Sequence, residues 1–191
     1  MKNHLFITGP VQTGKSTLLM EAIAPYREYM GGFVSQRLKD ENGTTRAFRL
    51  ADLSEGPSLT APYDPELPDI FLTLGEERRS DLSVFETKGI DIILKTKEQN
   101  KILLLDEIGG IELRSEKFTE ALFDALDTTS CIGVLKGDES AGNITGGIPE
   151  ERARLLDYMK ICDMINIGRA LKGTTENIAR IHKFIEESIR E

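Results

Sequence analysis

The chain has 191 residues, 39% of them hydrophobic and 29% charged, which suits one globular domain over 1–191 whose core needs neither disulfides nor structural zinc. With 24 Lys and Arg against 32 Asp and Glu, the net charge is −8, which argues against general nucleic-acid or anionic-membrane binding. No apolar run reaches the ~18 residues of a membrane span, and Met1–Thr8 lacks the long apolar stretch of a secretion signal, so a cytoplasmic protein with Cys131 and Cys162 reduced is expected.

The opening run His4–Thr8 is apolar, ends at Gly9, and predicts a buried strand. Helical spacing of Leu18, Leu19, Ala22 and Ile23 predicts a helix from Lys15, which Pro25 stops from running straight. Two strand-like runs, 32–37 and 45–52, flank Asn42-Gly43 and predict a β-hairpin near residues 32–52. Ala47, Arg49 and Ala51 alternate with Phe48 and Leu50, so one face of the second run is expected to be wet. Four prolines between Ser54 and Asp69 predict loop. A strand is expected at Ile70–Leu74. A helix capped by Asp81 or Ser83 follows to about Lys97, with two shorter helices meeting at Gly89 as the alternative.

The run 102–105 is wholly apolar and suits a strand covered on both faces. A helix over about 116–126 turns Phe118, Leu122 and Phe123 to the core. Cys131–Leu135 predicts a further buried strand, then a Gly-rich loop from Gly137 to Gly147 and a helix from Pro149 to Tyr158. Met164–Ile167 is the last expected strand, and Thr174 caps a final helix to Ile189. Strands alternating with helices predict an α/β fold with a mainly parallel sheet.

Gly9-Pro10-Val11-Gln12-Thr13-Gly14-Lys15-Ser16 matches G-x-x-x-x-G-K-[ST] at every fixed position, and Thr17 follows. The glycines let successive backbone N–H groups turn toward phosphate oxygens, and the helix start adds its positive dipole end. Lys15 is the expected partner of the β and γ phosphates and Ser16 the expected Mg²⁺ ligand. The strand before the loop and the helix after it complete the required context.

Asp106 and Glu107 close the apolar run. In a parallel sheet that end lies beside the phosphate loop. Asp106 is the expected second Mg²⁺ residue, and Glu107, pointing differently, the residue that activates a water.

These motifs resemble a family. The phosphate loop, then Gly31-Gly32-Phe33, then Asp106-Glu107-Ile108-Gly109 with Glu112-Leu113, look like the small P-loop nucleoside-triphosphatases of thermophiles and animals. The D-E-I-G-x-x-E-L string is the specific part, and the likeness runs from Leu5 to about Leu126. The resemblance implies a RecA-like α/β fold and hydrolysis of several nucleoside triphosphates with Mg²⁺. It implies phosphate and metal roles for Lys15 and Ser16, the metal role for Asp106 and water activation by Glu107. The chain departs from the family in lacking a further Gly among Val11-Gln12-Thr13, and around Arg78-Arg79 the likeness is loose.

Weaker candidates are Arg78 or Arg79 as a charge on the transferring phosphate, Lys136 as a γ-phosphate sensor, and Asn166, Arg169 and Lys172 near the base. Solvated side chains are the plainer reading of each. His4 is expected at a strand edge and His182 on a helix surface. Two rival functions stay open: a nucleoside or nucleotide kinase, and a slow nucleotide-dependent switch that docks a protein partner.

Overall fold

The computed structural model describes residues 2–137, 149–168 and 175–190. At its centre is a nine-stranded sheet. The strands are β1 (His4–Thr8), β2 (Met30–Lys39), β3 (Thr45–Asp52), β4 (Thr60–Pro62), β5 (Ile70–Thr73), β6 (Arg79–Ser80), β7 (Ile102–Ile108), β8 (Cys131–Leu135) and β9 (Asp163–Asn166). Their order is β6-β5-β3-β2-β7-β8-β1-β9, with β4 paired to β2 off this path. From β2 to β9 every pair is parallel. β3, β5 and β6 extend the sheet by antiparallel pairing.

The helices are α1 (Lys15–Ile23), α2 (Ile90–Glu98), α3 (Glu116–Thr128), α4 (Pro149–Met159) and α5 (Thr175–Arg190). Among the described residues no helix is long and apolar enough to cross a membrane. Each sheet face carries its own apolar layer. Leu103 and Leu105 meet Ile92, Phe118, Leu122 and Leu155, so α2, α3 and α4 cover one face. Leu5, Ile7 and Leu104 meet Leu18, Leu19, Ile181 and Ile185, so α1 and α5 cover the other. A strand buried on both faces has no polar side to show, which is why 102–105 does not alternate.

The hairpin forms as its Asn-Gly signal predicts. Asp40 Oδ1 accepts from Asn42 N and Thr44 N, and Gly43 takes φ 77°. Four expectations need correction. β3 has no wet face: Leu50 and Phe48 pack in the layer of Phe71 and Phe85, while Ala51 packs in the opposite layer with Val34 and Leu53, and Ala47 is also buried. The proline-rich segment is not all loop, since Thr60–Pro62 pairs with the end of β2. His4 is not at an edge: β1 lies between β8 and β9, and His4 is buried with Nδ1 accepting from Cys131 N. His182 is half-buried, with its Nε2 3.0 Å from Ala22 O, and ties α5 to α1.

Pro25 ends α1 as expected, and the chain continues as a 3₁₀ segment over Ala24–Tyr29. Near Gly89 the helix does not split. A π turn over Phe85–Gly89 runs into α2, where a Cβ on Gly89 would come 3.0 Å from Phe118. The expected Gly137–Gly147 loop, apart from Gly137, and the Thr174 cap lie outside the described residues.

For function the decisive feature is strand order. β1 and β7 run in one direction with β8 between them, so the phosphate loop and the acidic box open at the same edge of the sheet.

Candidate active site

The phosphate loop leaves β1 through Gly9, whose φ is 139°. A Cβ there would stand 2.1 Å from Ile167 O, because the exit of β9 lies against the loop and Ile167 N donates to Thr8 O. Gln12 and Gly14 also have positive φ, 60° and 84°. Gly14 is the N-cap of α1 and provides no side-chain cap, so the N–H groups of the first turn are left to serve a ligand. Thr13 Oγ1 donates to Pro10 O at 2.9 Å. Lys15 Nζ donates to Gly9 O at 3.0 Å and Pro10 O at 2.6 Å, so the ammonium lies across its own loop. Val11 is half exposed at the tip, Thr17 is exposed and Ser16 is buried.

The acidic box sits on a β-bulge. From Leu105 to Ile108 β7 advances three residues while β8 advances two, from Gly133 to Leu135. Glu107 carries the extra turn with φ 61°, in the left-handed region that a side chain rarely adopts. Strict alternation would turn Ile108 to the face of Leu104. It joins Leu103 and Leu105 instead.

Asp106 is buried, and its Oδ1 accepts from Ser16 Oγ at 2.7 Å while Oδ2 accepts from Ser35 N at 3.2 Å. Glu107 Oε1 accepts from Arg37 Nη2 at 2.7 Å. Burial, then the neighbouring Glu107, push the Asp106 carboxyl up to about 7, against the hydrogen bonds from Ser16 and Ser35 and the charge of Arg37. Burial likewise lowers the pKa of Lys15. Arg37 acts in the same direction, and the two carboxylates oppose it. Two cations, two carboxylates and a hydroxyl thus interact at one edge of the sheet.

The turn beyond the bulge has its own supports. Glu112 is buried, and its Oε1 accepts from Gly109 N at 2.5 Å and Gly110 N at 2.7 Å. Arg152 on α4 donates to Gly109 O through Nη1 and to Lys136 O through Nη2. Lys136 follows β8 and donates its N–H to Ile108 O at 2.8 Å. Beside Asp106 and Glu107 lies a cavity of about 10 Å³, closed by Phe33, Phe71, Phe85 and Lys136. That volume is about one water.

The structure therefore gathers Gly9–Thr17, Asp106, Glu107 and Lys136. Asn166 is exposed at the end of β9, opposite Thr8. Arg79 lies on β6, six positions along the sheet from β1, and pairs with Glu77 at 2.6 Å in solvent. Arg169 and Lys172 lie outside the described residues. Sequence reasoning missed Arg37, Arg152 and the role of Glu112. Glu112 had a signal, its fixed place in D-E-I-G-x-x-E-L. A lone arginine in a strand, as at position 37, has none.

The chain also matches known proteins. The sequence model of a family described as NTPase covers residues 4–156. A cancer-related nucleoside-triphosphatase homolog of Mus musculus is 30% identical over 146 residues, 70% of this chain and 74% of that protein. Nucleoside-triphosphatase THEP1 of Methanocaldococcus jannaschii is 24% identical over 130 residues, 64% of this chain and 71% of that protein. The solution structure of a human cancer-related nucleoside triphosphatase superposes with a TM-score of 0.63 at 22% identity, covering 98% of this chain and 97% of that one. The crystal structure of THEP1 from the hyperthermophile Aquifex aeolicus gives 0.63 at 19% identity, covering 96% and 99%. At these identities the two structures show a shared fold. The family match takes in the phosphate loop, the acidic bulge and Glu112 together, and the chain belongs to this family of P-loop nucleoside-triphosphatases.

Proposed function

We propose that the chain hydrolyses nucleoside triphosphates to the diphosphate and phosphate with Mg²⁺, accepting ATP, GTP and other triphosphates. The observation that carries this reading is the junction of Ser16 with Asp106, 90 residues apart in sequence and 2.7 Å apart in space, with Glu107 next in the chain. A hydroxyl and a carboxylate brought together are hard oxygen donors of the kind that suit Mg²⁺. A buried carboxyl pushed up to about 7 also gains from a cation beside it. Ser16 and Asp106 would hold Mg²⁺, which when bound offsets charge on the β and γ phosphates.

The backbone N–H groups of the loop, Pro10 apart, and the Lys15 ammonium bind the triphosphate. The Glu107 carboxylate takes a proton from a water as the water oxygen bonds to the γ phosphorus. The β–γ bridging bond breaks, and its electron pair leaves with the β phosphate. Broad base tolerance, within about tenfold or ~1.4 kcal/mol, is expected from the family resemblance and the lack of a recognisable base-reading motif in the sequence.

The test is phosphate release from triphosphate and Mg²⁺ with no acceptor added. Excess EDTA should stop it. Lys15→Ala should stay folded and lose nucleotide binding. Glu107→Gln should keep its affinity and lose roughly a hundredfold or more in kcat. Full turnover in EDTA, or release that waits for a nucleoside acceptor, would overturn the reading.

A further inference from the structure

Arg37 has no place in the chemistry above, yet it is the residue that grips Glu107. By the alternation of β2 it shares a face with Phe33 and Ser35, and β2 is the neighbour of β7. Its Nη2 is 2.7 Å from Glu107 Oε1, and both side chains are partly shielded, 35% and 20% exposed. Among the described residues Glu107 Oε2 takes no hydrogen bond. Arg37 stands on a firm base: its backbone pairs with Phe48 of β3 on one side and Thr60 of β4 on the other, and its N–H donates to Leu59 O at 2.9 Å.

Glu107 needs such a grip. Its backbone is in the left-handed region at a bulge, a conformation that persists only where the surroundings hold it. Glu112 and Arg152 secure the main chain just beyond it. The side chain, facing a site that must admit water, would otherwise sample several rotamers. A guanidinium is planar and rich in donors, and it fixes a carboxylate more tightly than an ammonium does.

We infer that Arg37 is a positioning residue, which holds Glu107 by Oε1 and leaves Oε2 aimed at the water that attacks the γ phosphorus. This rests on Glu107 being the base. Arg37 moves no proton and forms no bond in the step. It sets where the accepting oxygen stands, and misplacing a reacting group by about 1 Å costs up to ~100-fold in rate.

The experiment is a double-mutant cycle with Mg·ATP, pairing steady-state phosphate release with titration of a fluorescent ATP analogue. Arg37→Met should lower kcat by about 10- to 100-fold and change nucleotide affinity by less than about threefold. Arg37→Lys keeps the charge but not the fork, and should recover part of the rate. In the Glu107→Gln background, Arg37→Met should change kcat by less than about twofold, because the group it positions is gone. An equal fold loss in both backgrounds would overturn the inference and point to direct contact with phosphate. So would lost affinity at unchanged kcat, or an Arg37→Met enzyme running at the wild-type rate. Thermal melting of each variant separates misfolding from misplacement, and Arg37→Lys keeps the test open should the methionine variant fail to fold. If Glu107→Gln alone keeps the wild-type rate, the base assignment itself is wrong, a result distinct from an additive cycle.

Discussion

Removing the Glu112 carboxylate should cost both stability and turnover, because it holds the turn just beyond Glu107. Glu112 is 3% exposed, and Oε1 takes two short hydrogen bonds, from Gly109 N and Gly110 N. Glu112→Ala leaves both N–H groups buried without an acceptor. Each orphaned group costs about 1–3 kcal/mol, so the pair costs roughly 2–6 kcal/mol. At about 2–4 °C per kcal/mol for a chain of this size, the melting temperature should fall by roughly 4–24 °C. Glu112→Gln keeps an oxygen at the same place and loses only the charge assistance, about 1 kcal/mol. The assay is thermal or urea unfolding of the two variants beside wild type, with phosphate release measured well below the lower melting point. Glu112→Ala should also lower kcat, since Gly109 is two residues from Glu107 and its φ of 96° is part of the same turn. If the alanine and glutamine variants unfold together within about 0.5 kcal/mol of wild type, the two hydrogen bonds do not hold the turn and the reasoning fails.

Gly9 and Gly14 should respond differently to alanine. A Cβ at Gly9 meets Ile167 O at 2.1 Å, whereas at Gly14 nothing lies within 4 Å, so Gly14→Ala should cost only the left-handed strain of about 1–2 kcal/mol. Gly9→Ala should unfold at clearly lower urea, and equal midpoints would contradict the clash. His4 is buried neutral, its pKa lowered from 6.5 chiefly by burial. The unfolded chain therefore binds the extra proton first, and stability should fall as the pH drops from the unfolded value of 6.5 toward the folded one. Urea midpoints between about pH 7.5 and about pH 5.5 should decline more steeply for wild type than for His4→Gln. Parallel declines would remove His4 as the cause.

Much of the site is legible in the sequence because its signals are local. Gly9–Ser16 is a contiguous segment whose glycines license its own backbone path, and β1 and α1 on either side follow from apolar spacing. The apolar run 102–105, followed at once by Asp106 and Glu107, marks a doubly covered strand with carboxylates at its exit. Alternating strands and helices then imply a parallel sheet whose strand ends face one edge. No alignment across the chain is needed for any of these, since each depends on residues within a few positions of one another.

What the sequence does not contain is the order and register of the strands. His4 reads as an edge residue by its position in the chain, but β8 and β9 close on both sides of β1 through crossovers that no local rule dictates. The bulge is a one-residue mismatch between β7 and β8, a property of the pair that neither strand shows alone. Arg37 and Glu107 are 70 residues apart, and only the packing of β2 beside β7 brings them to 2.7 Å. The sequence by itself determined the phosphate loop, the acidic pair and the fold class, because backbone conformation and apolar spacing act between near neighbours. The tertiary structure alone decided how Glu107 is aimed and what grips it, because side chains far apart in the chain meet only once strand order and register are set.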